Sequence, residues 1–129
     1  MTNESAAPTA PGVRIKWAAA VAEHDYAAAE AYLSLKLDDE ATAKSVNRLR
    51  KADLTHRRAN DILRAAGLAA APLEDPGVKK DLVKVIEGDA LSPILVLSGK
   101  KGAEIADGFH RVSLVYCLDP YGLVPLKIG

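Results

Sequence analysis

The hydrophobic positions change period along the chain, and that change divides it. Tyr26, Ala29, Leu33 and Leu37 recur at spacings of three and four, which places them on one face of a helix. Asp38-Asp39-Glu40 then interrupts the face and supplies the acids suited to a fresh helix N-terminus, with Val46 and Leu49 inward on the helix that follows. A third helix is predicted with Thr55 as N-cap, Ala59, Ile62, Leu63 and Ala66 as its apolar stripe, and Gly67 just past its end. Residues 13–69 thus read as a helical N-terminal part.

Pro72-Leu73-Glu74 breaks the pattern, and Asp75-Pro76 reads as N-cap and first helical residue, because proline lacks the amide that would go unpaired there. Val78, Leu82, Val85 and Ile86 form the expected buried face, and Gly88 the stop. From Ser92 the period falls to that of strands. Pro93 to Ser98 is a short apolar run of strand formers, turned by Gly99-Lys100-Lys101-Gly102 into a second strand over Ala103 to Ala106. His110 to Leu118 returns to helical spacing, with Leu114, Val115 and Leu118 inward, and Asp119-Pro120 ends it. Val124, Leu126 and Ile128 alternate in a last strand. The expectation is an α+β domain over 13–129, with a helix-strand-strand-helix-strand core at 70–129.

Composition narrows the class of function. Seventeen basic and seventeen acidic side chains cancel, which argues against a dedicated nucleic-acid binder with a net basic footprint. Residues 1–12, rich in Ala, Pro and Thr and holding an acid where a signal peptide carries positive charge, read as a flexible tail. With no apolar run long enough to cross a bilayer, no membrane partner is expected and the cytoplasm is the default location. Cys117 is the lone cysteine, so a disulfide scaffold is excluded, and its position in the last helix suggests packing in the core. His24, His56 and His110 show no metal-ligand spacing, and no metal site is expected.

The candidate chemistry lies at Asp107-Gly108-Phe109-His110-Arg111. A strand ends, a glycine follows and a helix begins; the free amides of a first helical turn and the macrodipole favour an anion there. Glycine lets backbone approach the anion, Arg111 offers a planar fork for two phosphate oxygens, and His110 offers a second donor. Asp107 suits a cap, an orienter of Arg111, or a holder of a phosphate-bridging metal ion. Asp-Gly is also a common turn, and a His-Arg pair at a helix start also suits plain solvent exposure. A second feature is the segment 44–64, where Lys44, Arg48, Arg50, Lys51, Arg57, Arg58 and Arg64 face only Asp53 and Asp61. It reads either as a solvated face or as a patch for phosphates. The Ala-rich stretch from Trp17 to Ala31 reads as a helical packing surface suited to a homodimer.

Ile105-Ala106-Asp107-Gly108-Phe109-His110-Arg111-Val112 resembles the "(I/V)-x-DG-x-HR" hallmark of the ParB/sulfiredoxin superfamily, and Leu91-Ser92-Pro93-Ile94-Leu95-Val96 resembles its "x-x-P-I-x-V" strand. The resemblance spans roughly residues 70–128. It implies that Gly108, Phe109, His110 and Arg111 cradle the phosphates of ATP or another nucleotide with Mg²⁺. It also implies a phosphotransferase or NTP hydrolase, with Asp107 or Glu74 as candidate catalytic acids. Sulfiredoxins hold their catalytic cysteine where this chain has Phe109, so thiol chemistry is not implied. Partition ParB proteins continue into a helix-turn-helix, and no such region follows in this sequence. Two other readings stand beside nucleotide binding: a non-enzymatic interaction module, and a nucleic-acid-associated ParB-like protein using the 44–64 segment.

Overall fold

The computed structural model describes residues 8–10 and 13–129. Most of the predicted tail lies outside the described residues. Within it, Pro8–Ala10 forms a short strand, β1, antiparallel to β2 at Val13–Arg14.

The chain then stays extended where a helix was expected. Ile15 is buried, Val13 and Trp17 are partly buried, and Arg14 and Lys16 between them are exposed, which is strand-like alternation. Leu91 holds this stretch by hydrogen bonds at both its polar backbone atoms, Ala18 N to Leu91 O at 2.8 Å and Leu91 N to Lys16 O at 2.8 Å. The helical surface expected from Trp17 therefore begins only with α1, Glu23–Leu33. Tyr26, Ala29 and Leu33 are its buried residues, as their spacing required, together with Asp25. Leu37 lies beyond the helix and is exposed. The acids at 38–40 open α2, Asp39–Lys51, with Asp38 Oδ1 accepting from Ala41 N at 2.8 Å.

A second correction falls at Thr55. Leu54–Arg58 is a strand, β3, paired antiparallel with the C-terminal strand, and α3 starts only at Ala59 and runs to Ala66. The apolar stripe of α3 does not reach back past Ala59, and pairing such as Thr55 with Leu126 takes the five residues before it into the sheet. Gly67 ends α3 at φ +68°, and Leu68 N reaches back to Leu63 O, a closure that favours glycine.

The C-terminal half follows its pattern closely. Asp75 caps α4, Pro76–Ile86, through Gly77 N and Val78 N. Val78 and Val85 are buried and Leu82 partly so, whereas Ile86 has turned off the stripe and is exposed. β4 (Ile94–Gly99) and β5 (Gly102–Asp107) form a hairpin, α5 spans Phe109–Leu118, and β6 spans Leu123–Ile128.

The four-stranded sheet has the order β3-β6-β4-β5, with β4 and β6 parallel and the other pairs antiparallel. Two cores lie on its two sides. Ile94, Val96, Val124 and Leu126 join α3, α4 and α5, whereas Leu95, Leu97 and Ala106 join α1 and α2. The unbroken apolar run of β4 is thus the mark of a strand covered on both faces. The fold is α+β, as expected, but the N-terminal helices are split: α1 and α2 cover one face while α3 crosses to the other.

Candidate functional site: a buried arginine between three elements

β5 ends at Asp107, Gly108 turns at φ +110°, and α5 begins at Phe109, so Arg111 stands in the first turn of the helix. Its side chain is almost fully covered. One guanidinium nitrogen donates to Asp25 Oδ2 at 2.9 Å and to Ser92 O at 2.7 Å; the other donates to Asp107 Oδ2 at 2.6 Å. The arginine thereby ties the first turn of α1, the segment before β4 and the end of β5 to α5. Three of the five N–H donors of a guanidinium are engaged with protein in this way, leaving two.

One largely covered cation faces two carboxylates, Asp25 buried and Asp107 partly buried, and their pKa values separate. Burial works to raise Asp25, but hydrogen bonding by Ser92 and the Arg111 charge outweigh it and hold the carboxyl below its ordinary range. Burial pushes Asp107 up, and the charge of Asp25 adds to that against the pull of Arg111. Asp107 thus orients Arg111, one of the roles its position suggested.

The predicted phosphate-binding residues do not share one surface. The open side of Gly108 is filled by this protein's own atoms: an added Cβ would lie 2.5 Å from Ile94 Cδ1 and 3.2 Å from an Arg111 terminal nitrogen. Phe109 packs against the core. The His110 ring lies against Gly77 in the first turn of α4, with Nε2 3.3 Å from Asp75 Oδ2. Arg111 alone of the four lines a polar cavity of about 300 Å³ between the first turn of α1, α4 and Leu91-Ser92. His24, Asp25, Asp81, Lys84 and Ser92 supply its other polar groups. Glu74 is exposed and acts electrostatically on Cys117, away from that cavity. Among the described residues, no group of three or more His, Cys, Asp or Glu side chains is gathered to hold a metal ion.

Asp81 and Lys84, neither singled out from the sequence, belong to the cavity. The signal for Asp81 was in the pattern: it occupies the third position after Val78, on the same stripe as Leu82 and Val85. Asp25 likewise stands four residues before Ala29 on the buried face of α1. An acid on an apolar stripe is costly unless it meets a partner, and both acids here point toward Arg111's surroundings.

Burial raises the Asp81 carboxyl despite the opposing charges of Arg111, Lys84, His110 and Lys80. A carboxyl that holds its proton more tightly when folded costs stability above its folded pKa and costs nothing below its unfolded one. Asp81→Asn is therefore expected to raise the melting temperature at pH 7 by a degree or two, on the order of a modest surface optimisation. The gain should vanish toward pH 3, in the ordinary carboxylate range. A lower melting temperature for the variant at pH 7 would show that Asp81 is stabilised, not strained, in the fold.

One further expectation is revised here. Cys117 is exposed rather than packed in the core; its Sγ lies 3.4 Å from Ala71 O, and partial burial together with Glu74 pushes its thiol pKa up. The seven cations of the basic segment are all exposed, spread over α2, β3 and α3, in line with its reading as a solvated surface. Lys44 pairs with Glu40, Arg50 with Glu23 and Arg64 with Asp61, while Arg57 donates to Thr55 Oγ1 and His56 O on its own strand. Ser113, three residues after His110 on α5, is fully buried and accepts from Ala71 N at 3.0 Å, a packing role.

Among the described residues no helix is long and apolar enough to cross a membrane. The molecule is thus an α+β domain built around a buried arginine that opens on a polar cavity. Compared with protein-family models, curated proteins and solved structures, the chain matches none. The likeness to the ParB/sulfiredoxin superfamily rests on its motif residues.

Proposed function

We propose that the chain binds a small phosphate-bearing ligand, of nucleotide type, in the cavity beside Arg111. The observation that carries this reading is the lining of that cavity: a largely covered guanidinium whose protein contacts leave two of its donors, with Lys84, His24 and the first turn of an eleven-residue helix, beside the acids Asp25 and Asp81. Charge-assisted donors in a partly desolvated recess are the chemistry that holds a phosphate. The DGxHR resemblance supports the same ligand class but puts it on the turn itself. Ile94 and Arg111 fill the open side of Gly108, so the ligand is assigned to the cavity side of Arg111. With a phosphoryl donor bound, Asp81 is the carboxyl suited to accept a proton from an attacking hydroxyl, because burial already raises its proton affinity. A lone thiol and balanced charge fit a cytoplasmic setting.

Millimolar ATP, ADP or pyrophosphate, with and without Mg²⁺, is expected to raise the melting temperature of the wild type by linkage. The rise should be lost in Lys84→Ala, which removes a cation from the cavity wall without touching the core. No rise with any of these ligands, or a rise that Lys84→Ala leaves intact, would refute the assignment. The three-way engagement of Arg111 also suits a non-enzymatic interaction module in which the corner is purely architectural, and a ligand-independent melting temperature is the outcome that would favour it.

A further inference from the structure

A second concave site lies where the end of α1, α2 and the β4–β5 hairpin meet, and it shares no residue with the Arg111 cavity. Lys36, Arg48, Lys100 and Lys101 line it against a single acid, Glu104. In a chain whose charges cancel overall, four cations around one recess of about 320 Å³ are a pronounced local excess. Glu104 is occupied: Lys36 Nζ and Tyr32 Oη both hydrogen-bond to its Oε2. Arg48, Lys100 and Lys101 form no ion pair among the described residues.

We infer that this recess binds a compact polyanion, a small molecule carrying two or more linked phosphate groups. Gly99 pairs with Gly102, so Lys100 and Lys101 stand at the tip of a two-residue turn. Neither lysine is needed for the turn, and their like charges repel each other and Arg48. A polyanion set among them relieves that repulsion, and each cation engages it as a point charge. The shape favours a small ligand over a nucleic-acid strand, because the recess is walled by two helices and a hairpin rather than laid along one face. Of its apolar lining, Leu33 and Leu97 are buried in the core, and the exposed Leu37 offers a surface for a base or another flat group attached to the phosphates.

Sodium tripolyphosphate tests this directly. In ¹H–¹⁵N spectra at moderate salt it should produce saturable shifts in the amides of residues 98–102, Lys36 and Arg48, with orthophosphate binding at least about tenfold more weakly. Lys100→Ser/Lys101→Ser should keep the native spectrum and lose about tenfold in affinity, as removal of two cations from a partly exposed charge cluster implies. Arg48→Gln provides a second, independent loss. The inference is overturned if shifts are absent at millimolar tripolyphosphate, or if the three substitutions leave affinity unchanged. It is also overturned if a short single-stranded oligonucleotide binds with length-dependent affinity and tripolyphosphate does not displace it. Shifts confined to His24, Asp81 and Lys84 would overturn it while sustaining the Arg111 cavity, so the two sites fail separately.

Discussion

Replacing Arg111 with alanine is expected to destabilise the protein by about 3–5 kcal/mol, the cost of removing one partner from a buried charge cluster. For a domain of this size that lowers the melting temperature by on the order of 10–20 °C. The physical cause is what remains behind. Asp25 and Asp107 are both largely covered and share one guanidinium, with the exposed His24, 3.3 Å from Asp25 Oδ1, as the other basic group beside them. The Ser92 carbonyl loses its donor as well. Because the penalty belongs to two carboxylates, it should depend on pH. In the variant both groups rise toward protonation, so the gap to wild type narrows as the solution is acidified through the carboxylate range. Asp25→Asn together with Asp107→Asn in the Arg111→Ala background should restore part of the loss, since neutral amides do not need the missing cation. Arg111→Lys should fall between, as one ammonium cannot reproduce a fork that reaches two acids and a carbonyl. Denaturant unfolding measured from pH 4 to pH 8 provides the check. A variant as stable as wild type, or a deficit that does not change with pH, would mean that the cluster is not held as described.

Much of this was legible in the chain, and the misses share a cause. Periodicity located α1, α2, α4, α5 and the three C-terminal strands because each buries its face against a single layer or, for β4, against two. β3 escaped because it is an edge strand whose His56, Arg57 and Arg58 are exposed, leaving no apolar alternation to read. Its strand character comes from β6, about seventy residues later, and no local window contains that partner. The extended stretch around Ile15 was misread for the opposite reason. The Val13-Ile15-Trp17 alternation was present but short, and the alanines that follow favour a helix by propensity. The site divided along the same line. Asp107, Gly108 and Arg111 form a local strand-turn-helix and could be found together. Asp25 and Ser92 reach Arg111 from two other segments and Asp81 lines the same cavity from a third, and only their odd placement on apolar stripes marked the two acids beforehand.

Gly108→Ala is the second large effect, and it separates architecture from ligand binding at the motif. The backbone there sits at φ +110°, outside the regions an L-residue adopts readily, and an alanine Cβ would lie 2.5 Å from Ile94 Cδ1 and 3.0 Å from its Cγ2. Ile94 is fully buried in the core shared by α3, α4, α5 and the sheet, so shifting it disturbs close packing. Strain and overpacking together imply a loss of about 2–4 kcal/mol. Ile94→Val removes Cδ1, the closer of the two atoms, and keeps Cγ2. In that background the cost of Gly108→Ala should fall by about 1 kcal/mol, the remainder being the backbone strain and the tight Cγ2 contact. The double-mutant cycle is read from unfolding free energies. Equal costs in both backgrounds would show that Ile94 does not occupy the space, and a near-neutral Gly108→Ala would show that the turn is not strained. A glycine kept for an anion would behave in reverse, with stability retained and ligand affinity lost. On the geometry here the glycine of the DGxHR string is required by the close approach of Ile94 and the return of Arg111 over the turn. Its presence therefore carries no weight of its own for a phosphate, and the case for one rests on the cavity that Arg111, Lys84 and His24 line.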